Sequence, residues 1–198
     1  MNILYTIDDI LYINITNKCP CNCVFCIRQE GDSVENSGSL WLEKEPSVEE
    51  IINELKKEDL SKYSQIVFCG YGEPLMRINE VIDVCKYIKS VSTIKLRINT
   101  NGLSDLIYKK STAPMLKNIV DCVSISLNAP SKEEYNEISK PIYGLEAFDS
   151  LLSFAKEAKE NIKEVKFSVV DVITEDQIER CKEIANSMGI PLRVRKKS

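Results

Sequence analysis

Strand-like and helix-like segments alternate along this sequence, and the alternation restricts the fold more than any other feature. Apolar runs of strand length are separated by segments in which apolar residues recur with helical spacing. Six strands are predicted, at 10–16, 65–69, 94–99, 120–128, 165–172 and 192–194. A series of β–α units of this kind forms a mostly parallel sheet with right-handed crossover connections.

The length of the chain decides between parallel-sheet architectures. A closed barrel of eight units typically takes about 250 residues, whereas this chain has 198 residues and six predicted strands. We therefore predict an α/β fold that forms a partial (β/α)6 barrel, similar to an incomplete TIM barrel, with mostly parallel strands. A flat, doubly wound sheet is the alternative. In both architectures ligands bind beyond the carboxyl ends of the strands, so residues that follow the first four strands should meet on one face.

Capping signals indicate where several helices begin. A capping box of the type Ser/Thr-x-x-Glu/Gln occurs at Ser47, at Ser131 and at Thr174. A longer helix is expected near 145–158. Neither a linker nor an internal repeat interrupts the pattern, so we expect a single domain over 1–198.

Composition excludes several classes of function. The sequence contains no histidine, which excludes Ser-His-Asp and Cys-His nucleophiles, HExxH zinc sites and an imidazole base. The net charge of −4 argues against a general nucleic-acid binder, and the basic end at 193–197 is interpreted as a solvated terminus. No apolar run reaches the roughly 18 residues of a membrane helix, and no secretory signal is evident. We therefore expect a cytoplasmic protein that binds neither a membrane nor nucleic acid.

Four of the eight cysteines fall between positions 19 and 26. Cys19, Cys23 and Cys26 form a C-x-x-x-C-x-x-C motif on a polar loop after the first predicted strand, and thiolates this close together bind a soft metal centre. Three ligands on a four-iron cubane leave one iron free for a substrate or cofactor, as an open catalytic zinc site does. Cys21 lies between the ligands. Its thiol is expected to point away from the cluster, either as a spectator or as a thiol that faces the pocket.

Other interpretations of the cysteines stay open. A structural zinc site would need a second C-x-x-C pair, which the sequence lacks, and a disulfide framework is unusual in a chain without a secretory signal. Cys85, Cys122 and Cys181 occupy apolar positions and are interpreted as core thiols. Cys69 directly precedes a glycine-rich turn and is expected near the active face. We predict a single cluster.

The cysteine loop resembles the signature of the radical S-adenosylmethionine (SAM) superfamily. Phe25 precedes the last cysteine of the motif, and the loop follows a first strand, as in that signature. The G-Y-G-E-P turn at 70–74 resembles the G-G-E-P motif of the family. The T-N-G turn at 100–102 and S-I-S-L-N at 124–128 are also similar to the family pattern. The resemblance covers the chain from about 11 to 194.

The resemblance implies a pair of cofactors and a type of chemistry. Cys19, Cys23 and Cys26 would hold a 4Fe–4S cluster, and the amino and carboxylate groups of SAM would chelate its fourth iron. An external electron donor would reduce the cluster, and SAM would be cleaved to methionine and a 5′-deoxyadenosyl radical that abstracts hydrogen from an unidentified substrate. The compact size, the C-P-C-N-C loop and L-W-L-E-K-E-P at 40–46 are also similar to the small TatD-associated group of this superfamily.

The resemblance also implies which residues contact SAM. Backbone carbonyls of the glycine-rich turn would bind the methionine ammonium, and this turn consists of Gly70, Tyr71, Gly72, Glu73 and Pro74. The Glu73 carboxylate would either add a hydrogen bond to the ammonium or brace the loop. The other implied contacts are Phe25 near the adenine, Ser126 and Asn128 at the ribose hydroxyls, and Lys140 at the methionine carboxylate.

The residues after the cysteine motif carry a separate expectation. The cluster loop is predicted to cover 17–33, and the segment 27–46 lacks periodicity and is long for a compact domain. We predict that 27–46 forms a lid or a partner-binding loop. The alternative is that Leu40, Trp41 and Leu42 simply anchor this segment to the core.

Several functions are compatible with these predictions. A radical SAM enzyme could act on a small metabolite beneath the lid, or on a protein, as glycyl-radical activating enzymes do. Two alternatives come from other classes of protein: a non-catalytic iron–sulfur electron carrier and a zinc-binding structural module. Iron content and SAM cleavage distinguish these functions.

Overall fold

The computed structural model describes residues 2–29 and 38–197. Across these residues the chain forms one sheet of seven strands that neighbour one another in chain order. The strands are β1 Leu4–Ile7, β2 Ile10–Ile13, β3 Gln65–Phe68, β4 Lys95–Thr100, β5 Cys122–Ser126, β6 Glu164–Val170 and β7 Leu192–Arg195. β1 pairs with β2 in antiparallel orientation, and every later pair from β2–β3 to β6–β7 is parallel.

Helices connect the parallel strands. The α-helices are α1 Val48–Leu55, α2 Ile78–Val91, α3 Ser104–Tyr108, α4 Lys132–Ser139, α5 Glu146–Asn161 and α6 Glu175–Met188. Short 3-10 helices lie at Ile27–Gln29, Leu60–Lys62, Pro74–Arg77 and Ala113–Leu116. In the described parts of the chain, no helix is long and apolar enough to cross a membrane.

The strand order confirms the predicted fold class. The six predicted strands are β2–β7, and they follow one another across the sheet as strands do in a barrel. A doubly wound sheet would reverse its order at an internal switch point. In residues 2–29 and 38–197 the sheet ends at β1 on one side and at β7 on the other, so the barrel is partial.

The sequence pattern does not predict the shortest elements. β1 is four residues long and forms a hairpin with β2, with Asp8 in the left-handed conformation at the turn (φ 53°). α3 has five residues and no side-chain cap, and the helix expected around 114–118 is a 3-10 turn at Ala113–Leu116. Elements this short are stabilised mainly by tertiary contacts, so their local signals are weak.

The capping predictions are confirmed for two helices and differ for the third. Ser47 and Thr174 form complete capping boxes at the starts of α1 and α6. At α4 the Ser131 hydroxyl accepts a hydrogen bond from the Glu134 backbone N–H at 3.3 Å. The Glu134 carboxylate, however, accepts two bonds from the Arg180 guanidinium at 3.0 and 2.9 Å. This side chain also accepts from the Ser131 hydroxyl at 2.6 Å, so it joins α4 to α6 while it stays bonded to the cap residue, without completing the capping box.

The two faces of the parallel strands differ in chemistry, because successive side chains point to opposite sides of a sheet. One set is fully buried in the apolar core and includes Ile66, Phe68, Leu96, Ile98, Val123, Ile125, Phe167 and Val169. The alternate set lines a cavity and includes Arg97, Asn99, Ser124, Ser126, Lys166 and Ser168. Barrel interiors are usually filled by branched apolar side chains. A polar inner face therefore indicates space for a ligand.

Candidate cofactor site

A cavity of about 350 Å³ lies at the carboxyl ends of the strands. Most of the residues predicted to bind the cluster or SAM line it: Cys19, Cys23, Cys26, Phe25, Gly70, Tyr71, Gly72, Glu73, Ser126 and Asn128. Among the described residues, Pro74 and Lys140 are not part of this lining. Pro74 is buried at the start of a 3-10 helix, whereas Lys140 is exposed at the end of α4 in the left-handed conformation (φ 43°).

The cysteine loop is held in place by the end of α4. The backbone N–H groups of Asn22 and Val24 donate to the carbonyl oxygens of Ser139 at 3.1 Å and Ile138 at 2.9 Å. The last carbonyl groups of a helix have no partner within the helix. The loop therefore supplies donors that the helix end needs, and the helix end fixes the loop.

The Cys21 thiol faces the predicted ligand cysteines. Interaction with the Cys21 thiol lowers the pKa of Cys19 and of Cys23, and the same interaction raises the pKa of Cys21. Burial opposes the shift at Cys19 and Cys23, because it disfavours thiolates. The expectation that Cys21 points away from the cluster position is therefore wrong. Of the two roles considered for Cys21, its place in the cavity lining agrees with a thiol that faces the pocket.

Two residues outside the motif also reach sulfur atoms. Arg28 Nε donates to Cys26 Sγ at 3.3 Å, and the same guanidinium donates to the backbone carbonyl of Cys21 at 3.4 Å. Asn101 Nδ2 lies 3.6 Å from the sulfur of Cys21 and 3.8 Å from that of Cys19. The sequence pattern predicts no role for either side chain. Asn101 belongs to the T-N-G turn, which offers a signal, whereas Arg28 is marked only by its closeness to the motif.

The cysteine thiols fit an iron–sulfur cluster both in the type of ligand and in the number of ligands. All eight cysteines lie in the described ranges and are free thiols, so Cys19, Cys23 and Cys26 are available as ligands. Within these ranges no three Cys, Asp or Glu side chains converge tightly enough to hold a single metal ion. A four-iron cubane takes each cysteine on a different iron and so spreads its ligands more widely. Three thiols along one loop suit that arrangement.

The other cysteines fall into two groups. Cys85, Cys122 and Cys181 are fully buried, which confirms the prediction that they are core thiols. Cys69 lines the cavity beside the glycine-rich turn, as expected from its position. The Tyr5 hydroxyl donates to the Cys69 carbonyl at 3.1 Å and so fixes the end of β3.

Gly70 and Gly72 allow two chain segments to approach closely. A Cβ atom at Gly72 would lie 2.3 Å from the carbonyl oxygen of Thr16 and 2.6 Å from that of Lys18. A Cβ atom at Gly70 would lie 2.1 Å from Oδ1 of Asn14. Only glycine fits at such distances, so the turn after β3 packs directly on the start of the cysteine loop.

Glu73 braces the ends of two strands. Its buried carboxylate accepts hydrogen bonds from the Thr100 hydroxyl at 2.6 Å and from the backbone N–H groups of Asn101 at 2.7 Å and Leu75 at 3.0 Å. Burial raises its pKa to about 7, and the three donors oppose that shift. Of the two predicted roles, the contacts are those of a brace between the turn after β3 and the end of β4.

Asn128 has an unused acceptor in the cavity. Its side chain is buried, and its Oδ1 has no hydrogen-bond partner among the described residues. An unpaired buried acceptor costs about 1–3 kcal/mol. A hydroxyl donor from a ligand would satisfy this atom, which agrees with the predicted ribose contact.

Part of the cavity wall is cationic. The side chains that we call the basic wall come from β4, β6, β7 and the residues after β7, and they are Arg97, Lys166, Arg193, Arg195, Lys196 and Lys197. Residues 193–197 are exposed, as the interpretation of a solvated terminus expects, and their basic side chains also border the cavity. Pairing of β7 with β6 places alternate residues of this strand on the inner face of the sheet.

The described part of the predicted lid is anchored to the cysteine loop. Leu40 and Leu42 are buried. Asn14 Nδ2 donates to the Leu40 carbonyl at 2.7 Å, and Asn17 exchanges two bonds with the Leu42 backbone at 2.7 and 3.1 Å. The anchoring alternative therefore holds for the residues at 38–46.

Trp41 packs against Tyr71, a residue that lines the cavity. Its ring meets the ring of Tyr71 edge-on, with 5.0 Å between centroids, and 40% of the residue is exposed. Positions 30–37, which include much of the predicted lid 27–46 and the end of the predicted cluster loop 17–33, lie outside the described residues.

The fold and the three-thiol loop define an α/β partial barrel with an iron–sulfur site at its mouth. The family model for the radical SAM superfamily matches residues 13–190. The chain belongs to the radical SAM superfamily, which confirms the resemblance of its cysteine loop and its G-Y-G-E-P turn. The family uses a 4Fe–4S cluster and SAM, so the two predicted cofactors are confirmed at the level of the family.

Known proteins of this superfamily are similar over only part of their length. GTP 3′,8-cyclase of Lactiplantibacillus plantarum is 26% identical over 165 residues, which cover 83% of this chain and 46% of the cyclase. The probable dual-specificity RNA methyltransferase RlmN of Pseudothermotoga lettingae is 26% identical over 147 residues, or 72% of this chain and 40% of the relative. Streptococcus suis SuiB bound to SAM has a TM-score of 0.64 at 17% identity, over 96% of this chain and 38% of SuiB.

These comparisons set the limits of what is shown. The chain spans less than half the length of these proteins, and the similarity to SuiB shows the fold alone. The two curated relatives are named as enzymes that act on a nucleotide and on RNA, so the expectation that nucleic acid is not bound is not supported. Membership of the TatD-associated group is not confirmed and stays a prediction.

Proposed function

We propose that the protein is a radical SAM enzyme that cleaves SAM reductively and uses the resulting radical to abstract hydrogen from a substrate in the cavity. The observation that carries this proposal is a set of three free thiols on one loop, beside a cavity bordered by a turn in which Gly70 and Gly72 leave no room for a side chain. When bound, the cluster and SAM supply the electron transfer and the radical. The chain supplies the ligands, positions the reactants and excludes water.

Cys19, Cys23 and Cys26 are the proposed cluster ligands. Arg28 places a cation against the sulfur of Cys26, and Asn101 places an N–H donor near the sulfur of Cys19. Such contacts offset the negative charge of thiolate ligands and orient them. Because Arg28 also bonds to the loop backbone, it holds the loop shape that the ligands need.

The proposed SAM site adjoins these ligands. The turn at 70–74 is fixed by the Glu73 brace, so its backbone carbonyls are held ready for the methionine ammonium. Phe25 is assigned to the adenine, and Ser126 and Asn128 to the ribose hydroxyls, because all of them line the same cavity. Lys140 is left out of the proposed site because its side chain lies outside the cavity.

The setting of the enzyme is also a proposal. One continuous sheet runs through the described residues, which supports a single domain over 1–198. Eight free thiols suit a reducing compartment such as the cytoplasm. An external electron donor is required, because none of the described residues supplies low-potential electrons.

Anaerobic reconstitution tests the proposal. We expect about four irons and four sulfides per chain, as this cluster type requires. With dithionite and SAM, the loaded protein should release 5′-deoxyadenosine and methionine slowly, even without a substrate. The Cys23→Ala variant should lose both the cluster and SAM cleavage.

A second cysteine variant provides the matched control. Cys85→Ala removes a fully buried core thiol, and it should keep the cluster and SAM cleavage at a cost in stability of about 1 kcal/mol. Wild-type iron content in Cys23→Ala would contradict the ligand assignment. A loaded protein that never cleaves SAM would favour an electron carrier, and zinc without iron would favour a structural zinc module.

A further inference from the structure

The basic wall exceeds what the proposed cofactors require. Glu73 is the only acidic side chain among the described residues that line the cavity, and the basic wall contributes six cations. SAM brings one carboxylate, but its ammonium and sulfonium groups make it cationic overall. The cluster ligands have a cation of their own in Arg28. Arg97, Lys166, Arg193 and Arg195 therefore outnumber the anionic groups that SAM and the described lining supply.

Arg97 shows this shortage of negative charge most directly. It lies on the central strand β4, is 8% exposed, and its Nε has no hydrogen-bond partner in the described structure. Within residues 2–29 and 38–197, no carboxylate forms an ion pair with Arg97, Lys166, Arg193 or Arg195. Burial of a cation without a counter-charge is unfavourable, so an unpaired donor of this kind points to a missing anion.

The arginines of β7 are close enough to Arg97 to affect one another. Loss of hydration lowers the pKa of Arg195, Cys69 opposes this shift, and the positive charges of Arg193 and Arg97 lower the pKa further. Like charges held together in this way repel each other in the free protein. A bound anion would convert the repulsion into attraction. Guanidinium groups suit phosphate in particular, because their paired N–H donors match two phosphate oxygens.

We propose that the substrate is a small molecule with a phosphate or polyphosphate group, which the basic wall binds through Arg97, Arg193 and Arg195. This inference rests on the proposed function, because the ligand is taken to be the substrate of the radical reaction. The cavity volume of about 350 Å³ is in the range of small-molecule sites. The whole chain has a net charge of −4 although the basic wall carries six cations, so the other residues together carry about −10 and disfavour binding of a long polyanion.

Binding of inorganic tripolyphosphate tests the inference without any turnover. The cluster-loaded protein with SAM and no reductant is titrated by calorimetry at constant ionic strength. We expect the double variant Arg193→Ala/Arg195→Ala to bind tripolyphosphate at least about tenfold more weakly than the wild type. Arg193→Lys/Arg195→Lys should bind with intermediate affinity, because lysine keeps the charge but loses the paired donors.

A matched pair of surface lysines controls for general charge. Lys132 and Lys156 are exposed on α4 and α5 and are not part of the cavity lining, so Lys132→Ala/Lys156→Ala should bind within about twofold of the wild type. Equal affinity in the wild type and the β7 double variant would overturn the inference, as would an equal loss in the surface variant. If the β7 variant does not fold, Lys166→Ala on β6 provides the same test.

The result separates this inference from the proposed function. Binding is measured without reductant, so tripolyphosphate affinity that depends on the arginines supports the basic wall even if SAM cleavage is never observed. Conversely, SAM cleavage without anion binding leaves the proposed function intact and overturns the inference. Tighter binding of a short single-stranded RNA than of tripolyphosphate would overturn the restriction to small substrates.

Discussion

The two sides of the cavity satisfy their polar groups in opposite ways. The cysteine wall, which comprises 17–29 and the turn at 70–74, is cross-linked by its own hydrogen bonds. The Glu73 carboxylate accepts from three donors, and the Arg28 guanidinium donates to a sulfur and two carbonyls. On the basic wall, by contrast, Arg97 and Arg193 have no ion-pair partner among the described residues.

The cysteine wall is therefore preformed for binding, whereas the basic wall is completed by the ligand that it binds. A wall whose polar groups are already paired keeps its shape without a ligand and suits cofactors that always bind in the same way. On the basic wall the buried Arg97 gains a counter-charge when an anion binds, so we expect affinity there to depend strongly on the charge of the ligand. We expect mutations on the cysteine wall to reduce stability and mutations on the basic wall to reduce binding.

Gly72→Ala should have the largest effect. The new Cβ would lie 2.3 Å from the Thr16 carbonyl oxygen and 2.6 Å from that of Lys18, so the backbone of the cysteine loop must move. We expect a loss of about 3 kcal/mol in the free energy of unfolding and poor cluster incorporation. Urea denaturation and iron analysis measure the two effects.

Gly144→Ala provides the control for this clash. Gly144 has φ 59°, and a Cβ atom added there would have no neighbouring atom within 4 Å, so alanine adds only backbone strain of about 1 kcal/mol. Iron content should remain at the wild-type level. Equal destabilisation of the two variants would show that the cysteine wall is not tightly packed.

Glu73 should make stability depend on pH. Burial raises its pKa from 4.5 to about 7, so the folded state holds this proton more tightly than the unfolded state does. The stabilisation is complete below pH 4.5 and is lost as the pH rises through 7, an effect of about 3 kcal/mol in the cluster-free protein. Denaturation of the wild type across this range measures the slope.

Glu73→Gln identifies the source of that slope. Glutamine cannot titrate, and its NH2 group would face a donor, so the variant should be about 2 kcal/mol less stable than the wild type at low pH. The difference in the free energy of unfolding between the variant and the wild type should decrease as the pH rises. Glu133→Gln, at an exposed carboxyl of α4, should leave the slope unchanged. If stability still depended on pH in the Glu73→Gln variant, another titrating group would be the cause of that dependence.

Arg97→Met should act in the opposite direction on stability. It removes a buried cation whose Nε is unpaired in the described structure, so we expect a gain of about 1 kcal/mol in the free energy of unfolding and weaker tripolyphosphate binding. Arg77→Met is the comparison, because Arg77 donates to the carbonyls of Ile15 and Pro46 at 2.9 and 2.8 Å. That variant should lose stability. If both variants were less stable than the wild type, the proposed difference between the cysteine wall and the basic wall would be contradicted.

Trp41→Ala should have the smallest effect. It removes the edge contact with Tyr71 of the cysteine wall, but 40% of Trp41 is already exposed. We expect a loss of about 1 kcal/mol, measured by thermal unfolding. Ile142→Ala, at a residue that is 75% exposed, should change the midpoint of thermal unfolding less than Trp41→Ala does. A larger loss at Trp41 would extend the tightly packed region to this residue.

Much of the fold can be predicted because its signals are local. Strand-length apolar runs and caps such as Ser47 and Thr174 act within a few residues of the chain, so they can be recognised without the tertiary structure. β1 and α3 escape prediction because each is too short to carry a periodic signal. Glu134 shows a third case, since its local pattern predicts the contact with Ser131 but not the pair with Arg180 on a distant helix.

The residues of the candidate site can likewise be predicted where their signal is local in the sequence, and not where it depends on tertiary contacts. Cys19, Cys23 and Cys26 can be recognised because they are neighbours in the sequence, and the glycine-rich turn is likewise continuous. The prediction for Lys140 rests on its position along the chain, but the left-handed end of α4 leaves it outside the cavity. The direction of the Cys21 thiol could not be predicted, because a side chain in an irregular loop is oriented by contacts with the rest of the fold.

The sequence by itself determined the series of β–α units, the three-cysteine loop and the family to which the chain belongs. Only the tertiary structure decided that Arg97, Lys166 and Arg193 share one wall, because residues on separate strands become neighbours through strand pairing and alternation. A charged side chain in a strand carries no sign of what it faces. Its role follows from burial and from the missing partner, and both are properties of the folded chain.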